Sequence, residues 1–293
     1  FEITEDSLKG QFVYAKPNFN YSDNTLFTSL KSSTSDFLST SGYKTSELGF
    51  SIGTRFEQFQ NIYLTPELDF LIEDLETSSK ASKTIKKQEG SYTDLYFNYS
   101  INQDLRDKKF RTEDGYTTTF SQEVPIVSDN AEFANAFQVT KYKKLSSTSD
   151  MVGKVSFFGK TITGLSDDVR ISKRLNIPTS KLRGFERGKV GPVENNDYIG
   201  GNHVSTLNLS ATLPTVVEGL DNLDVGVFFD AANVWGVDYN SSLDDKSKIR
   251  SSTGVALNLM TPIGPLSFSF ANAISKASTD KTETFRFNLG TQF

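Results

Sequence analysis

Hydrophobic and polar residues alternate along most of this chain with a period of two, which sends side chains to opposite faces of a β-strand. Between residues 223 and 229, Leu, Val, Val and Phe stand at the odd positions and Asp, Gly and Phe at the even ones. The same alternation recurs over residues 47–56, 62–70, 95–101, 254–259, 266–271 and 285–293. No stretch shows a convincing amphipathic helix, so we expect an all-β protein.

The length and chemistry of these strands favour a membrane barrel over a soluble sandwich. Many run to about ten residues, which suits a tilted strand that crosses a bilayer. One face is rich in Phe and Leu, as lipid requires, and the other carries Gly, Ser, Asn and single charges, as a water-filled lumen requires. We therefore expect an antiparallel transmembrane β-barrel. About thirteen strands are readable, near residues 8–16, 24–32, 44–56, 60–72, 91–103, 115–124, 131–142, 150–160, 202–213, 222–233, 249–261, 264–273 and 283–293.

The longest segment without a strand pattern covers residues 161–201, and we expect it to be a loop that enters the lumen. Its centre holds the triplet Arg183, Gly184 and Phe185. Glycines in such a segment allow tight turns and a close approach of the backbone. Arg183 offers five donors in a planar fork that matches a carboxylate.

Two residues on the barrel wall are candidates to hold this loop. Asp230 belongs to the lumen face, because its neighbour Phe229 belongs to the apolar set, and Asn208 lies between two outward leucines. A salt bridge from Arg183 to Asp230 would fix the loop, because bidentate charge-assisted pairs are strong and directional. Spacing alone leaves the alternative open that Arg183 is solvated on an outer loop.

Composition excludes several classes of function. The net charge is -5 and there are no cysteines, so we expect no nucleic-acid partner, no disulfide and no cysteine-based metal site. The one histidine, His203, is expected at the barrel rim, and no catalytic arrangement, metal site or cofactor site is readable. We therefore do not expect an enzyme. The lysine-rich stretch Lys80–Lys87 is expected to be a solvated loop tip rather than a contact for anionic lipid.

Several motifs resemble those of the BamA family of outer-membrane protein assembly factors, part of the bacterial surface antigen superfamily. The residues LRGF at 182–185 resemble the family's loop motif and are followed, in the family's order, by Gly-Pro at 191–192 and Gly-Gly-Asn at 200–202. The strand end FFDAANVW at 228–235, the turn TPIGPL at 261–266 and the ending FRFNLGTQF are also similar. Together they span about the last 110 residues of the chain.

The resemblance implies a barrel of sixteen strands with a loop docked in its lumen. Matching strands backwards from Phe293 places the start of this chain near the family's fourth strand. We therefore expect residues 1–293 to be one barrel domain that is partial at its N-terminus and includes no POTRA repeats. The resemblance also implies the pair of Arg183 with Asp230. Asn208 stands where the family often has a second acid, and Ala232 where it has glycine, so we expect a weaker anchor than usual.

The resemblance further implies an integral protein of the bacterial outer membrane that inserts client barrel proteins through a seam beside its last strand. Phe285, Phe287, Leu289, Gly290 and Phe293 would form that seam, and a client strand would pair with its edge. The implied partners are unfolded outer-membrane barrel clients, accessory assembly lipoproteins and outer-membrane lipid. A TamA-like or two-partner-secretion translocator and a passive porin-like channel remain alternatives.

Overall fold

The described part of the protein is built around one antiparallel sheet of fourteen strands that pair in chain order. A computed structural model describes residues 2–3, 6–109, 111–214, 222–243, 245, 247–261 and 264–289. The strands of the sheet are β1 (Glu2–Ile3), β2 (Ser7–Lys16), β3 (Thr25–Phe37), β4 (Tyr43–Phe59), β5 (Ile62–Thr77), β6 (Gly90–Asp104), β7 (Gly115–Ser128), β8 (Glu132–Lys144), β9 (Val152–Gly164), β12 (His203–Thr212), β13 (Leu223–Trp235), β14 (Arg250–Thr261), β15 (Gly264–Ser275) and β16 (Phe285–Leu289). A separate hairpin of β10 (Val193–Glu194) and β11 (Asp197–Tyr198) lies between β9 and β12 in the chain.

The sheet has an apolar outer face and a polar inner face, as the alternation predicts. Phe12, Phe50 and Phe270 expose between 45% and 68% of their surface, which suits contact with lipid. Ser51 and Asp230, on the opposite face, are buried. The expected all-β, antiparallel barrel fold is confirmed, and every one of the thirteen predicted strands corresponds to a strand of the sheet. The fourteenth, β1, has two residues, too few to show a period.

Several strands extend further toward the long-loop end of the barrel than predicted. β5 continues to Thr77, although its hydrophobic alternation ends near Ile72. Beyond that point the outward residues Asp74 and Glu76 are polar, yet they still pair with β4. The backbone ladder therefore outlasts the apolar band. The predicted start of the loop at residue 161 is wrong for the same reason. The backbone ladder of β9 continues to Gly164, beyond its apolar residues, and the loop begins at residue 165.

The sheet has two edges in the part of the chain that the structure describes. β1 and β2 form one edge and β16 forms the other, and no described pairing joins them. Gly290 and Phe293 of the predicted closing strand lie outside the described residues. No helix among the described residues is long and apolar enough to cross a membrane.

The lysine-rich stretch is more ordered than the predicted loop tip. It contains the short helix α1 (Lys83–Lys86), and the Ser82 hydroxyl caps this helix by accepting a hydrogen bond from the Ile85 N–H. Ile85 is buried in an apolar cluster, although the lysines around it are exposed. The helix therefore packs down onto the end of the barrel, with its lysines in solvent.

Candidate functional site: the long loop against the barrel wall

The hydrophobic core lies between the inner wall of the sheet and the segment of residues 165–202, called the long loop below. Leu182, Phe185 and Val190 of the long loop form one buried cluster with Ala232 of β13. A second cluster, nearer the loop end of the barrel, joins loop residues to β4, β5, α1 and the segment after β13. Its buried members are Tyr43, Leu75, Ala81, Ile85, Ile171, Ile199 and Val237. The loop is thus packed against the wall and is not free in solvent.

Arg183 and Asp230 lie in direct contact. The Arg183 Nε donates to Asp230 Oδ2 over 2.8 Å, and Nη2 donates to Oδ1 over 2.8 Å. The backbone N–H of Arg183 adds a third bond to Oδ2, at 3.1 Å. Asn208 donates to Asp230 Oδ1 over 2.9 Å and to the Lys181 carbonyl over 2.7 Å. Since Asp230 is fully buried, these donors replace the water that its charge has lost.

The Arg183 side chain is also supported on its face. Its guanidinium carbon lies 3.4 Å from the centroid of the Phe228 ring, a cation–π arrangement. Gly254 of β14 leaves room for that ring and for the Phe270 carbonyl, because a Cβ there would lie 2.8 Å from the ring edge and 1.9 Å from the carbonyl oxygen. The Ser252 hydroxyl donates to the Arg183 carbonyl over 2.5 Å. Strands β13 and β14 together therefore form the pocket for Arg183.

Gly184 and Phe185 bring the loop backbone against the wall. Gly184 has a φ of +87°, and a Cβ on it would lie 3.0 Å from the Cβ of Ala271 and 3.4 Å from that of Ser252. A glycine is therefore required both for the conformation and for the close approach. Phe185 is 2% exposed and forms an isolated β-bridge with Thr282, just before β16.

A second arginine anchors the other end of the long loop on a different part of the wall. The Arg170 Nη2 donates to Asp94 Oδ2 over 2.6 Å and to Glu132 Oε2 over 3.1 Å. Nε donates to Glu132 Oε1 over 3.1 Å, and Nη1 donates to Glu73 Oε2 over 3.4 Å. The guanidinium also lies 4.4 Å from the Tyr92 ring centroid. Strands β5, β6 and β8 thus supply a socket of three carboxylates.

This socket depends on its guanidinium. The side chains of Arg170, Glu73 and Asp94 are 0% exposed, and that of Glu132 is 1% exposed. Three carboxylates that are buried away from water repel one another. Among cationic side chains, only the planar fork of an arginine can donate hydrogen bonds to all three. Arg183 binds β13, and Arg170 binds β5, β6 and β8. The long loop therefore connects two separate parts of the inner wall.

A third contact joins the long loop to the segment that follows β13. Arg174 pairs with Asp238 Oδ1 and donates to Asn202 Oδ1. Asn202 and the Val169 N–H both donate to Asp238 Oδ2, over 3.0 and 2.8 Å. Partial burial by itself would raise the pKa of Asp238, but the Val169 N–H and the Arg174 charge outweigh it and hold this pKa below its ordinary value.

The closing strand β16 presents aromatic side chains outward. Phe285 and Phe287 are each 49% exposed, and both pack against Phe268 of β15. Leu289 pairs with Leu266 at the last described position of the strand. Between the two phenylalanines, Arg286 points inward to the long loop.

Sequence reasoning missed Arg170, Arg174 and Arg286. Arg170 and Arg174 lie in a loop, where no periodicity assigns a face. For Arg286 the strand alternation was a usable signal, because it follows outward Phe285 and precedes outward Phe287. An arginine on the lumen face of a strand needs an acceptor in the lumen.

Among the described residues, no group of three His, Cys, Asp or Glu side chains is placed to hold a metal ion. His203 lies at the start of β12, where its ring packs against Trp235 with centroids 5.5 Å apart. The contacts described above hold the long loop against the wall.

Comparison with known proteins assigns this architecture to a family. The family model described as the Omp85 superfamily domain matches residues 1–293. The crystal structure of BamA from Haemophilus ducreyi lacking POTRA domains 1–3 is similar in fold, with a TM-score of 0.84 at 22% sequence identity. That likeness covers 96% of this chain and 61% of the solved one.

Two curated relatives carry the name outer membrane protein assembly factor BamA. The protein from Neorickettsia risticii (strain Illinois) is 23% identical over 217 residues, which cover 73% of this chain and 29% of that protein. The protein from Neisseria meningitidis serogroup B (strain ATCC BAA-335 / MC58) is 30% identical over 141 residues, 38% of this chain and 17% of that protein. The chain therefore spans less than a third of the length of either relative.

Proposed function

The chain belongs to the Omp85 superfamily and is a β-barrel protein of the bacterial outer membrane. We propose that it is the membrane core of an insertase. In this role it assembles client β-barrel proteins and inserts them into the outer membrane. The seam beside β16 receives the client. The partners are unfolded barrel clients, accessory assembly lipoproteins and the surrounding lipid.

The observation that carries this proposal is the long loop docked beside the closing strand β16. Arg183 is held by Asp230 on β13, and the same loop reaches the residues just before β16. An edge strand in lipid has backbone groups without partners, which is costly, so it favours pairing with another strand. A client strand that adds to the β16 edge would satisfy those groups.

The names of the two curated relatives support the same role. Each is called an outer membrane protein assembly factor, and the resemblance in the loop motif and the closing strand extends that role to this chain. The exposed phenylalanines of β16 would contact lipid at the seam, where a client strand has to enter the bilayer.

Reconstitution tests this proposal directly. The protein is placed in liposomes and an unfolded client barrel is added. The fraction of folded client is measured by its heat-modifiable mobility on gels and by its resistance to protease. We expect faster folding than in empty liposomes, and slower folding with Arg183→Ala. Steady ion conductance without accelerated folding would instead indicate a passive channel, and passage of a polypeptide into the liposome lumen would indicate a translocator.

A further inference from the structure

Arg286 connects the closing strand to the long loop. Its Nη1 donates to the Thr179 carbonyl over 2.8 Å, and its Nη2 donates to the Phe185 carbonyl over 2.6 Å. The two carbonyls lie on either side of Arg183 and Gly184 in the chain. One guanidinium on β16 therefore holds both ends of the turn that carries Arg183.

The backbone beside Arg286 adds to the same contact. The Glu283 N–H donates to the Gly184 carbonyl over 3.1 Å, and the Glu186 N–H donates to the Lys281 carbonyl over 3.0 Å. The segment that leads into β16 is thus paired with the long loop. These bonds fasten the end of β16 that is nearer the long-loop end of the barrel.

The Arg286 side chain is 12% exposed and also forms an ion pair with Glu283. A planar fork with several donors can donate to two carbonyls in fixed directions, whereas an ammonium group is a single point charge. The two neighbours of Arg286 in the strand, Phe285 and Phe287, are exposed on its lipid-facing side. One strand therefore faces lipid with its phenylalanines and holds the loop with its arginine.

We propose that Arg286 is a positioning residue that couples the closing strand to the long loop, so that β16 moves out of register only when the turn around Arg183 is released. The proposal rests on the proposed function, in which the seam beside β16 moves. Linkage makes the coupling reciprocal: a docked loop holds the strand, and a fixed strand holds the loop.

Thiol accessibility tests this coupling, because the chain has no cysteine. Val190 is 6% exposed and lies in the cluster with Phe185, so Val190→Cys reports release of this part of the loop. In liposomes without client, we expect Arg286→Gln to speed maleimide labelling at position 190 by about tenfold, the effect of losing charge-assisted hydrogen bonds. Ile171→Cys, buried beside Arg170, is the matched reporter and should keep its labelling rate.

Glu283→Gln is the matched control variant. It removes the ion pair but leaves the two hydrogen bonds from Arg286 to the loop carbonyls, so labelling at position 190 should change little. If Arg286→Gln leaves position 190 protected, or exposes positions 171 and 190 equally, Arg286 does not couple the strand to the loop.

A disulfide lock tests the reciprocal direction. Phe268 and Phe287 are directly opposed across β15 and β16, so Phe268→Cys with Phe287→Cys can fix the two strands in register. We expect the lock to slow labelling at position 190 when Arg286 is present and to have no effect with Arg286→Gln. An equal effect in both backgrounds would overturn the proposal.

The two proposals fail separately. Labelling is measured without client, and client folding is measured in the protein without added cysteines. A protein that folds no client but shows labelling controlled by Arg286 refutes the insertase role alone. A protein that folds client but shows no dependence on Arg286 refutes the coupling alone.

Discussion

Arg183 and Asp230, 47 positions apart in the chain, meet in a bidentate pair with both nitrogen–oxygen distances at 2.8 Å. Because Asp230 is fully buried, Arg183→Ala leaves its charge with too few donors. We expect a loss of about 3 kcal/mol in the free energy of unfolding, typical of a broken buried pair. Thermal unfolding in detergent, followed by heat-modifiable mobility, measures this loss.

Reversal of both charges distinguishes the stability contributed by the ion pair from that contributed by its surroundings. Arg183→Asp combined with Asp230→Arg should recover part of the stability that either change loses alone. If the double variant recovers nothing, the ion pair is not what holds the loop. Arg106→Ala provides a control, because Arg106 pairs with Asp104 near the surface, where such pairs contribute about 1 kcal/mol or less.

The Arg170 socket predicts a different and larger effect. Arg170→Ala leaves Asp94 and Glu132 buried with no cation paired to them among the described residues, and leaves Glu73 only the Lys173 ammonium, 3.6 Å away. We therefore expect a loss of about 3–5 kcal/mol. Arg170→Lys should recover only part of it, since one ammonium cannot donate along all three directions. Protease sensitivity of the long loop and the unfolding temperature both report the loss.

Chemical rescue distinguishes an empty socket from a misfolded barrel. Methylguanidinium at concentrations too low to denature should restore protease resistance to Arg170→Ala, because it carries the missing fork. Methylammonium at the same concentration should restore less. If neither ion has an effect on a variant that is otherwise folded, the three carboxylates do not form a guanidinium socket.

The sequence predicts the strands well because lipid on one face and a wet lumen on the other impose the alternation that defines them. It also assigns Asp230 to the lumen face, because Phe229 has to face lipid. Arg170 is beyond such reasoning. Its acceptors Glu73, Asp94 and Glu132 are 97, 76 and 38 positions away, so only the register of three strands and the path of the loop bring them together.

The short distance between Gly184 and Ala271 predicts that a larger side chain at either position keeps the loop from packing against the wall. Gly184→Ala introduces a methyl group about 3.0 Å from the Ala271 Cβ and forces a side chain into a positive φ. Gly188→Ala is a matched control. Gly188 also has a positive φ, but among the described residues a Cβ on it would have one neighbour within 4 Å, at 3.8 Å. Both variants carry a strain of about 1–2 kcal/mol.

Only Gly184→Ala should also release the loop, detected as faster proteolysis near Phe185. Combining it with Ala271→Gly removes the opposing methyl group and should restore protection without removing the backbone strain. Proteolysis that is equally fast in Gly188→Ala would show that backbone conformation, and not contact with the wall, limits docking.

Asp238 predicts a pH dependence at the junction of the long loop and the segment after β13. Its pKa in the folded protein lies below the ordinary value of about 3.9, so it stabilises the fold at neutral pH. That contribution is fully present above pH 4 or so and is lost as the pH falls through the lowered pKa. Asp238→Asn should therefore be less stable than the parent at pH 6, and the difference should shrink as the pH falls below about 4. Urea unfolding across this range measures it, with Asp23→Asn, at an exposed turn, as the control. A difference that stays constant with pH would show that the Asp238 charge does not hold Arg174 and Asn202 in place.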